Sequence, residues 1–369
     1  MTKNYSNILE QVDFNLFPLV NNQSYFSYAL NKNTSLRDKT IILSVSGGET
    51  SMMMAAFIKK LLPFHNVLCI YSNTGCENDE TLDFIHKCDI AFGLNVVWIE
   101  AVTHPEHGKG VTHRVTDYTN AYRSHQYKDP KHPFHAHIAK NGIPNMARPH
   151  CSDRLKEHAI EHYKKVNNLK GCSHSLGMRS DEPNRTMPKN IRKLLAETDM
   201  TPDMFKRMEH QHRINGFTSS GYDYTDKELS TLTNYSKKLE RYNLVYVLAD
   251  AWRADKQDVN TFWEMMPFRL MLKDYEGNCQ TCWKKSETKL KLLATEKPML
   301  FEAFDWFEKT YAHVKPLSIG NYFFRGMKSA AMILGEADAL DKFMLQKLSS
   351  RDNDSNEGCG SSCESYLLV

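Results

Sequence analysis

The sequence predicts an α/β fold: a parallel, doubly wound sheet with a helical insertion and a helical C-terminal region. Three short apolar runs, at 41–45, 66–72 and 95–101, support this prediction. Continuous apolar runs of this length suit strands that are covered on both faces, as in parallel sheets. Helix-forming segments at 51–62 and 79–92 separate the runs, and this alternation predicts right-handed crossovers.

Composition places the chain among globular proteins and excludes several other classes. Of its 369 residues 41% are hydrophobic, and no apolar run approaches the roughly 18 residues of a membrane span. A formal net charge of +3 is too small to indicate a nucleic-acid partner, and homo-oligomerisation stays open. The chain has nine cysteines, and the clustered ones favour metal or redox chemistry in a reducing compartment. We therefore expect a cytoplasmic protein.

The expected organisation is one nucleotide-binding domain with additions. Further strands are predicted at 173–177 and 244–248, and helices at 290–294, 301–312 and 329–348. The predicted units are an irregular lead-in at 1–38, an α/β domain at 39–295 with insertions at 103–150 and 186–240, a helical region at 296–348 and a mobile tail at 349–369.

A strand–turn–helix motif after residue 41 is the main functional signal. Glycines let the backbone turn sharply and approach an anion closely. The unpaired first-turn amides of the following helix attract phosphate. No Gly-Lys-Ser/Thr follows, so this is not a Walker loop, and a turn without a ligand is the alternative. The predicted phosphate-binding residues are Ser44, Ser46, Gly47, Gly48, Glu49, Thr50 and Ser51.

Glu49 is an unexpected residue for a phosphate-binding loop. Its carboxylate would lie beside the phosphates and repel them. We therefore expect Glu49 to point outward or to share a cation.

A second polar loop follows the strand at 66–72. In open parallel sheets, ligands bind outside the carboxyl ends of the strands, so this loop and the glycine loop should converge on one site. The residues predicted to contact the ligand are Asn73, Thr74, Gly75 and Glu77.

The insertion at 103–150 holds eight of the sixteen histidines. It lacks the His-Glu-x-x-His spacing of a helical metal site, so we interpret it as a polar excursion that partly covers the site. The histidines are His104, His107, His113, His125, His132, His135, His137 and His150.

Cysteines suggest a metal centre. Cys151 lies at a predicted helix start, with Ser152 as N-cap and the helix ending near Val166, and such a position stabilises a thiolate. Cys279 and Cys282 form a Cys-x-x-Cys, which is half of a metal site. The tail cysteines Cys359 and Cys363 are either further ligands, mobile thiols that reach the nucleotide site, or idle.

A charged turn follows the predicted strand at 173–177. Gly177 precedes Arg179, Asp181 and Arg185, and two arginines can clamp phosphate or sulfate oxygens bidentately. An exposed charged turn without a ligand is the alternative.

Taken together, these motifs resemble the phosphoadenosine phosphosulfate (PAPS) reductase-like family of the adenine-nucleotide α-hydrolase, or PP-loop ATP pyrophosphatase, superfamily. The likeness is strongest to bacteriophage-encoded members and covers about residues 40–285. The matching segments are Ser46–Ser51, Asn73–Leu82, Val97–Glu100, Pro144–Asn145, His150–Lys156, Gly177–Arg185 and Gly277–Cys282.

The resemblance implies an adenine nucleotide, either ATP or one of the PAPS/APS type. It also implies anion contacts from Arg179 and Arg185, and catalytic roles for Arg179, Asp181 and Lys156. Cys151, Cys279 and Cys282 are similar to ligands of a [4Fe–4S] cluster, with zinc as the alternative. The chain has His150-Cys151 where the iron–sulfur reductases have a Cys pair, so the fourth ligand is open.

Two reaction types fit this resemblance. Sulfonucleotide reduction needs a thiol nucleophile and a thioredoxin-like reductant, but the usual Glu-Cys-Gly-Leu-His tail is absent. ATP-dependent sulfur transfer needs Mg²⁺, expected near Glu77 or Asp181. A nucleic-acid substrate would be a variant of this reaction, and the basic stretch 186–213 could then form the patch that binds it.

The alternative from another class is a phage nucleotide-binding or inhibitory protein without turnover, which Glu49 favours.

Overall fold

A mixed six-stranded sheet forms the centre of the protein. The computed structural model describes residues 8–13, 17, 40–61, 66–187, 189–197, 225–273, 275–318 and 320–337. The strand order is β4-β3-β2-β1-β5-β6, and all neighbours pair in parallel except β3 and β4. The strands are β1 (Thr40–Val45), β2 (Asn66–Asn73), β3 (Val97–Thr103), β4 (Val111–Thr116), β5 (Ser173–Leu176) and β6 (Leu244–Val245).

The direction of winding changes at β1. From β1 the chain moves through β2 to β3 on one side, and from β5 to β6 on the other. Loops that follow two such neighbouring strands diverge and leave a crevice at their carboxyl ends. The loops after β1 and β5 follow the two neighbouring strands at which the direction changes.

Helices cover the sheet on both sides. They are α1 (Glu49–Leu61), α2 (Asp79–Phe92), α3 (Pro133–Asn141), α4 (His150–Ser152), α5 (His158–Val166), α6 (Pro183–Thr186), α7 (Lys189–Glu197), α8 (Asp226–Tyr242), α9 (Lys256–Glu264), α10 (Glu287–Glu296), α11 (Glu302–Tyr311) and α12 (Ala330–Ala337). Within the described ranges, no helix is long and apolar enough to span a bilayer.

The apolar side chains of β1 alternate between two hydrophobic clusters because successive residues of a strand face opposite sides. Ile41 and Leu43 pack with residues of α1, α2 and α9. Ile42 packs with residues of α5, α10, α11 and α12 on the other face. This burial on both faces explains the continuous apolar runs in the sequence.

Several elements differ from the sequence-based expectation. Residues 111–116 form an antiparallel edge strand inside the region predicted as a polar excursion. Its side chains are only half-buried or exposed, which is why no apolar run marks it. The sixth strand ends at Val245 rather than 248, because Val247–Ala251 forms a π-helical turn.

The helix after residue 149 also begins differently. Ser152 is not its N-cap: the helix starts at His150 and continues through a π-helical segment, Asp153–Glu157, into α5. Helix α9 has a side-chain cap, because Asp255 accepts a hydrogen bond from Asp258 N at 3.0 Å. The roles predicted for Cys359 and Cys363 concern residues outside the described ranges. Residues 198–224 and most of residues 1–38 also lie outside them.

Candidate functional site

The glycine loop joins β1 to α1 and is stabilised by its own serines. Ser51 Oγ accepts a hydrogen bond from Ser46 N at 3.1 Å and donates one to Gly48 O at 2.9 Å. Gly47 has a φ of +78°, and a Cβ there would lie 2.5 Å from Thr81 Cγ2. The loop therefore packs closely against α2 and requires glycine at this position.

Ser44 is the member of the predicted phosphate-binding set that lies within strand β1. Its hydroxyl is 2.6 Å from Nε2 of His174 on the neighbouring strand β5. Both residues are buried. Ser44 thus links β1 to β5 beneath the loop, and its hydroxyl faces His174.

Glu49 shares a cation, Arg269, which is one of the two arrangements expected for it. Arg269 donates to it twice, from Nε to Oε1 at 2.9 Å and from Nη2 to Oε2 at 3.1 Å. Trp263 Nε1 donates to the Glu49 carbonyl at 3.0 Å, which holds the first turn of α1 against α9. Sequence analysis missed Arg269, because it lies 220 residues away and outside every recognised motif.

The side chains of the second loop are engaged within the protein. Asn73 Nδ2 donates to Glu100 Oε1 at 2.6 Å. The hydroxyl of Thr74 donates to Glu77, whose carboxylate also lies 3.5 Å from Nζ of Lys156. Gly75 has a φ of +79°, and a Cβ there would collide with the His132 ring. These side chains hold the loop in place beside the glycine loop.

The Cys-x-x-Cys segment joins both loops. Asn278 Nδ2 donates to Ser46 O at 2.9 Å, and the Asn278 carbonyl accepts from Asn78 N at 2.9 Å. Glu77 and Cys279 form an antiparallel β-bridge. Segments 200 residues apart in sequence therefore meet at the carboxyl ends of β1 and β2.

The arginine turn after Gly177 reaches the glycine loop. Arg179 Nη1 donates to the hydroxyl of Thr50 at 3.3 Å, while Nε of the same side chain lies 2.8 Å from Asp181. Arg185 instead pairs with Glu182, at 2.8 Å. Burial alone would raise the pKa of Glu182, but Arg185 and Arg179 outweigh it and hold that pKa below its ordinary value.

Three predicted metal ligands line one cavity. Cys151, Cys279 and Cys282 surround it together with the buried Lys156 and with Thr281. Lys285, also buried, donates from Nζ to the Cys279 carbonyl at 3.1 Å. None of the three cysteines is in a disulfide. Within the described ranges, no three His, Cys, Asp or Glu side chains are arranged to hold a single metal ion.

Cys76 lies beside this cavity and was not among the predicted ligands. Its thiol is buried within electrostatic range of Cys151 and Cys282. Burial, followed by the Glu77 carboxylate and these two thiols, raises the pKa of Cys76 well above its ordinary value, and Lys156 opposes the shift. Only the contact between two distant loops, which the sequence does not show, brings Cys76 here.

His150, the residue before Cys151, is paired with another histidine. His150 Nδ1 lies 2.7 Å from His137 Nε2. Burial, aided by Arg148 and Arg154, lowers the pKa of His150 to about 4. Burial also lowers the pKa of His137 well below its ordinary value. Both rings are therefore neutral at physiological pH.

Comparison with known proteins finds one distant similarity to a phage protein. No protein-family model matches the chain. The chain is 23% identical, over 276 residues, to the uncharacterized nin region protein ORF290 of Escherichia phage lambda; the match covers 72% of each protein. This similarity agrees with the expected likeness to phage proteins, and the name of the phage lambda protein states no activity.

Proposed function

We propose that the chain is a PAPS reductase-like PP-loop enzyme with a doubly wound, adenine-nucleotide α-hydrolase fold. It binds an adenine nucleotide with its phosphates at Ser46–Ser51 and cleaves it at or next to the α-phosphate. The observation that carries this proposal is the contact of Arg179 with Thr50 at 3.3 Å. It brings a guanidinium from the β5 loop to the start of α1, across the crevice where winding changes.

The glycine loop has the features of a phosphate site. The first amides of α1 have no partner within the helix, and the helix dipole adds positive potential there. Gly47 keeps the backbone open where a side chain would collide. These donors are fixed before a ligand arrives, so they stabilise charge that develops on phosphate or sulfate oxygens.

The charges around the loop also favour an anion. Arg269 neutralises the Glu49 carboxylate, so this carboxylate no longer repels a phosphate bound at the loop. Asp181 holds Arg179 in place and is itself 39% exposed, so an arriving phosphate or sulfate can replace it as the partner of Arg179. Arg179 is then the anion-binding residue, with Asp181 as its positioning residue.

Two reactions are consistent with this site. In sulfonucleotide reduction, a thiolate attacks sulfur and releases the nucleotide phosphate, and a thioredoxin-like dithiol then frees sulfite as it becomes a disulfide. In ATP-dependent sulfur transfer, an acceptor oxygen attacks the α-phosphate and pyrophosphate leaves. A hydrosulfide donor then displaces AMP from the adenylated acceptor, and Mg²⁺ would supply charge neutralisation for the first step. Lys156, buried beside Glu77, is positioned between the nucleotide loops and the cysteines.

We propose an iron–sulfur cluster for the cysteine cavity, with a single zinc ion as the alternative, because the resemblance implies the cluster and three cysteines line the cavity. Zinc draws all of its ligands onto one ion about 2.3 Å away, and no described residues are arranged in that way. In a [4Fe–4S] cluster each iron takes its own cysteine, so the thiolates stand further apart. Cys151, Cys279 and Cys282 would hold it, and when bound it supplies redox or electrostatic chemistry.

Calorimetry combined with product analysis tests this function. Anaerobically purified protein is titrated with ATP, AMP and PAPS, and then assayed for sulfite, AMP and pyrophosphate. We expect nucleotide binding and one of these products when the matching co-substrate is added. Binding without turnover under all conditions would support the inhibitory-protein alternative, and no binding would contradict the proposal.

A further inference from the structure

We infer that the groove beside α5 binds a single strand of nucleic acid through its phosphates. The groove has a volume of about 540 Å³, which lies in the range of ligand-binding clefts. One face of α5, the turn that follows α5 and the end of α8 line most of it. The inference goes beyond the proposed function, because none of the residues described at the groove also lines the cysteine cavity or belongs to the glycine loop.

Three exposed cations line this groove. Lys165 lies near the end of α5, Lys170 in the turn before β5, and Arg241 near the end of α8. Among the residues that the structure describes, no carboxylate forms an ion pair with any of the three. Their charge is therefore available to an anionic ligand in the groove.

The two carboxylates that line the groove are engaged by neighbouring side chains. Glu161 lies 2.6 Å from Nζ of Lys164, and this lysine is 3% exposed. Glu157 forms a hydrogen bond with the side chain of Tyr242. Four basic and two acidic side chains line the groove, so an excess of positive charge remains with both carboxylates ionised and the histidines neutral.

The kind of donor favours a strand over a compact phosphate ion. A compact phosphate is usually held by the converging backbone amides of a helix N-terminus. This groove is lined instead by the C-terminal ends of α5 and α8, which present carbonyls rather than amides. Long basic side chains therefore supply the charge, as they do where proteins contact the backbone phosphates of nucleic acids.

An aromatic ring lies among these cations. Tyr242 is half-buried and lines the groove, and the guanidinium carbon of Arg241 is 5.4 Å from the centre of its ring. Proteins that bind single strands combine a positive groove with aromatic side chains on which bases stack. The bases of a duplex are already stacked on each other, so the ring favours a single strand.

The test is fluorescence anisotropy of a short labelled oligonucleotide of mixed sequence, with DNA and RNA strands measured separately. The full-length protein is compared with the variant Lys165→Ala/Lys170→Ala/Arg241→Ala. We expect the wild type to bind at low salt and the variant to bind at least about tenfold more weakly. The slope of log K against log salt should fall in magnitude by about 2, because each phosphate contact on a single strand adds about 0.7 to it.

A matched control removes the same number of charges elsewhere. Lys193, Lys273 and Lys309 are exposed lysines in surface ion pairs outside the groove. The variant Lys193→Ala/Lys273→Ala/Lys309→Ala should bind the oligonucleotide like the wild type. Equal losses in the two triple variants would mean that net charge alone decides binding, and would overturn the inference.

Substitutions at Tyr242 test the stacking contact. Tyr242→Leu should weaken binding of the strand by at least about fivefold. Tyr242→Phe should weaken it less, because this variant keeps the ring. Equal losses in both variants would contradict a strand that stacks in the groove.

Competition identifies the class of ligand. Unlabelled single strand should displace the labelled strand, whereas a duplex of the same sequence, tripolyphosphate and poly-glutamate should displace it less well. No binding to the wild type, or tighter binding of one of these other competitors, would overturn the inference. ATP and PAPS binding is measured on the same samples. Nucleotide binding without strand binding refutes this inference alone, and strand binding without nucleotide binding refutes the proposed function alone.

Discussion

Glu49 and Arg269 form a bidentate ion pair at the start of the helix that follows the glycine loop, with N–O distances of 2.9 and 3.1 Å. The Glu49 side chain is 8% exposed and that of Arg269 is 41% exposed. The pair neutralises the Glu49 carboxylate, which would otherwise repel a phosphate at the proposed site. It also joins the segment after α9 to the loop.

The first prediction concerns this pair. Arg269→Ala should weaken nucleotide binding by about 1–2 kcal/mol, because it leaves a carboxylate uncompensated beside the phosphates, and exposure of the arginine limits the effect. Glu49→Gln combined with Arg269→Ala should restore most of the affinity. Calorimetry with ATP measures both, and Lys273→Ala, an exposed cation paired with Glu296, is the control. Equal affinity in Arg269→Ala and wild type would contradict the role of the pair.

The second prediction separates the two arginines of the turn. Both arginines pair with Glu182, but only Arg179 of the two is seen to contact Thr50 as well. Arg179→Ala should therefore lose about 2–4 kcal/mol of nucleotide binding. Arg185→Ala should lose less binding free energy, since the main effect of this substitution is to remove a partner of Glu182. Lys109→Ala, on the exposed Glu106 pair, serves as control. A larger loss in Arg185→Ala would reverse the assignment.

The third prediction separates two reasons why position 47 requires glycine, which are its backbone conformation and its close packing. Gly47 and Gly108 both have positive φ, +78° and +81°, but only at Gly47 would a Cβ meet neighbouring atoms. Gly108→Ala should cost about 1–2 kcal/mol of unfolding free energy from backbone strain alone. Gly47→Ala should cost about 1–3 kcal/mol more from overpacking against α2. Denaturant unfolding measures both, and equal losses would mean that the loop is not packed as described.

The fourth prediction concerns pH and the C-terminal helices. Glu308 is buried and accepts hydrogen bonds from Phe323 N and Ala330 N; burial raises its pKa to about 7, although these bonds oppose the shift. The folded state thus holds a proton that the unfolded state releases at lower pH. Stability should fall as pH rises from about 4.5 to about 7.

Thermal melts between pH 5 and 8 test this dependence. The wild-type melting temperature should drop over the interval, and Glu308→Gln should flatten the curve because it removes the titrating group. The same slope in both proteins would show that another group is responsible.

The elements of the fold that show a regular pattern of apolar residues could be predicted from the sequence. Buried strands such as β2 appear as apolar runs, and the helix after the glycine loop was placed to within two residues of its start at Glu49. The half-buried edge strand β4 has no such run and was missed. Its strand pairing depends on Arg114 meeting Glu100, a contact that local sequence does not show.

The parts of the candidate site that lie in local sequence motifs were predicted. The residues that reach the site only through contacts with distant segments were missed. The glycine loop, Arg179 and the Cys-x-x-Cys were found from local sequence, and the structure brings them together at one edge of the sheet. Arg269 and Cys76 were not found. Each acquires its place only when a distant segment packs against it.

The most direct test of the central claim is calorimetry of ATP, AMP and PAPS binding to wild type and Arg179→Ala. The account predicts that at least one nucleotide binds the wild type and that Arg179→Ala, while unfolding like the wild type, loses about 2–4 kcal/mol of that binding. No binding to the wild type at millimolar nucleotide, or undiminished binding to Arg179→Ala, would contradict the assignment of this crevice as a nucleotide site.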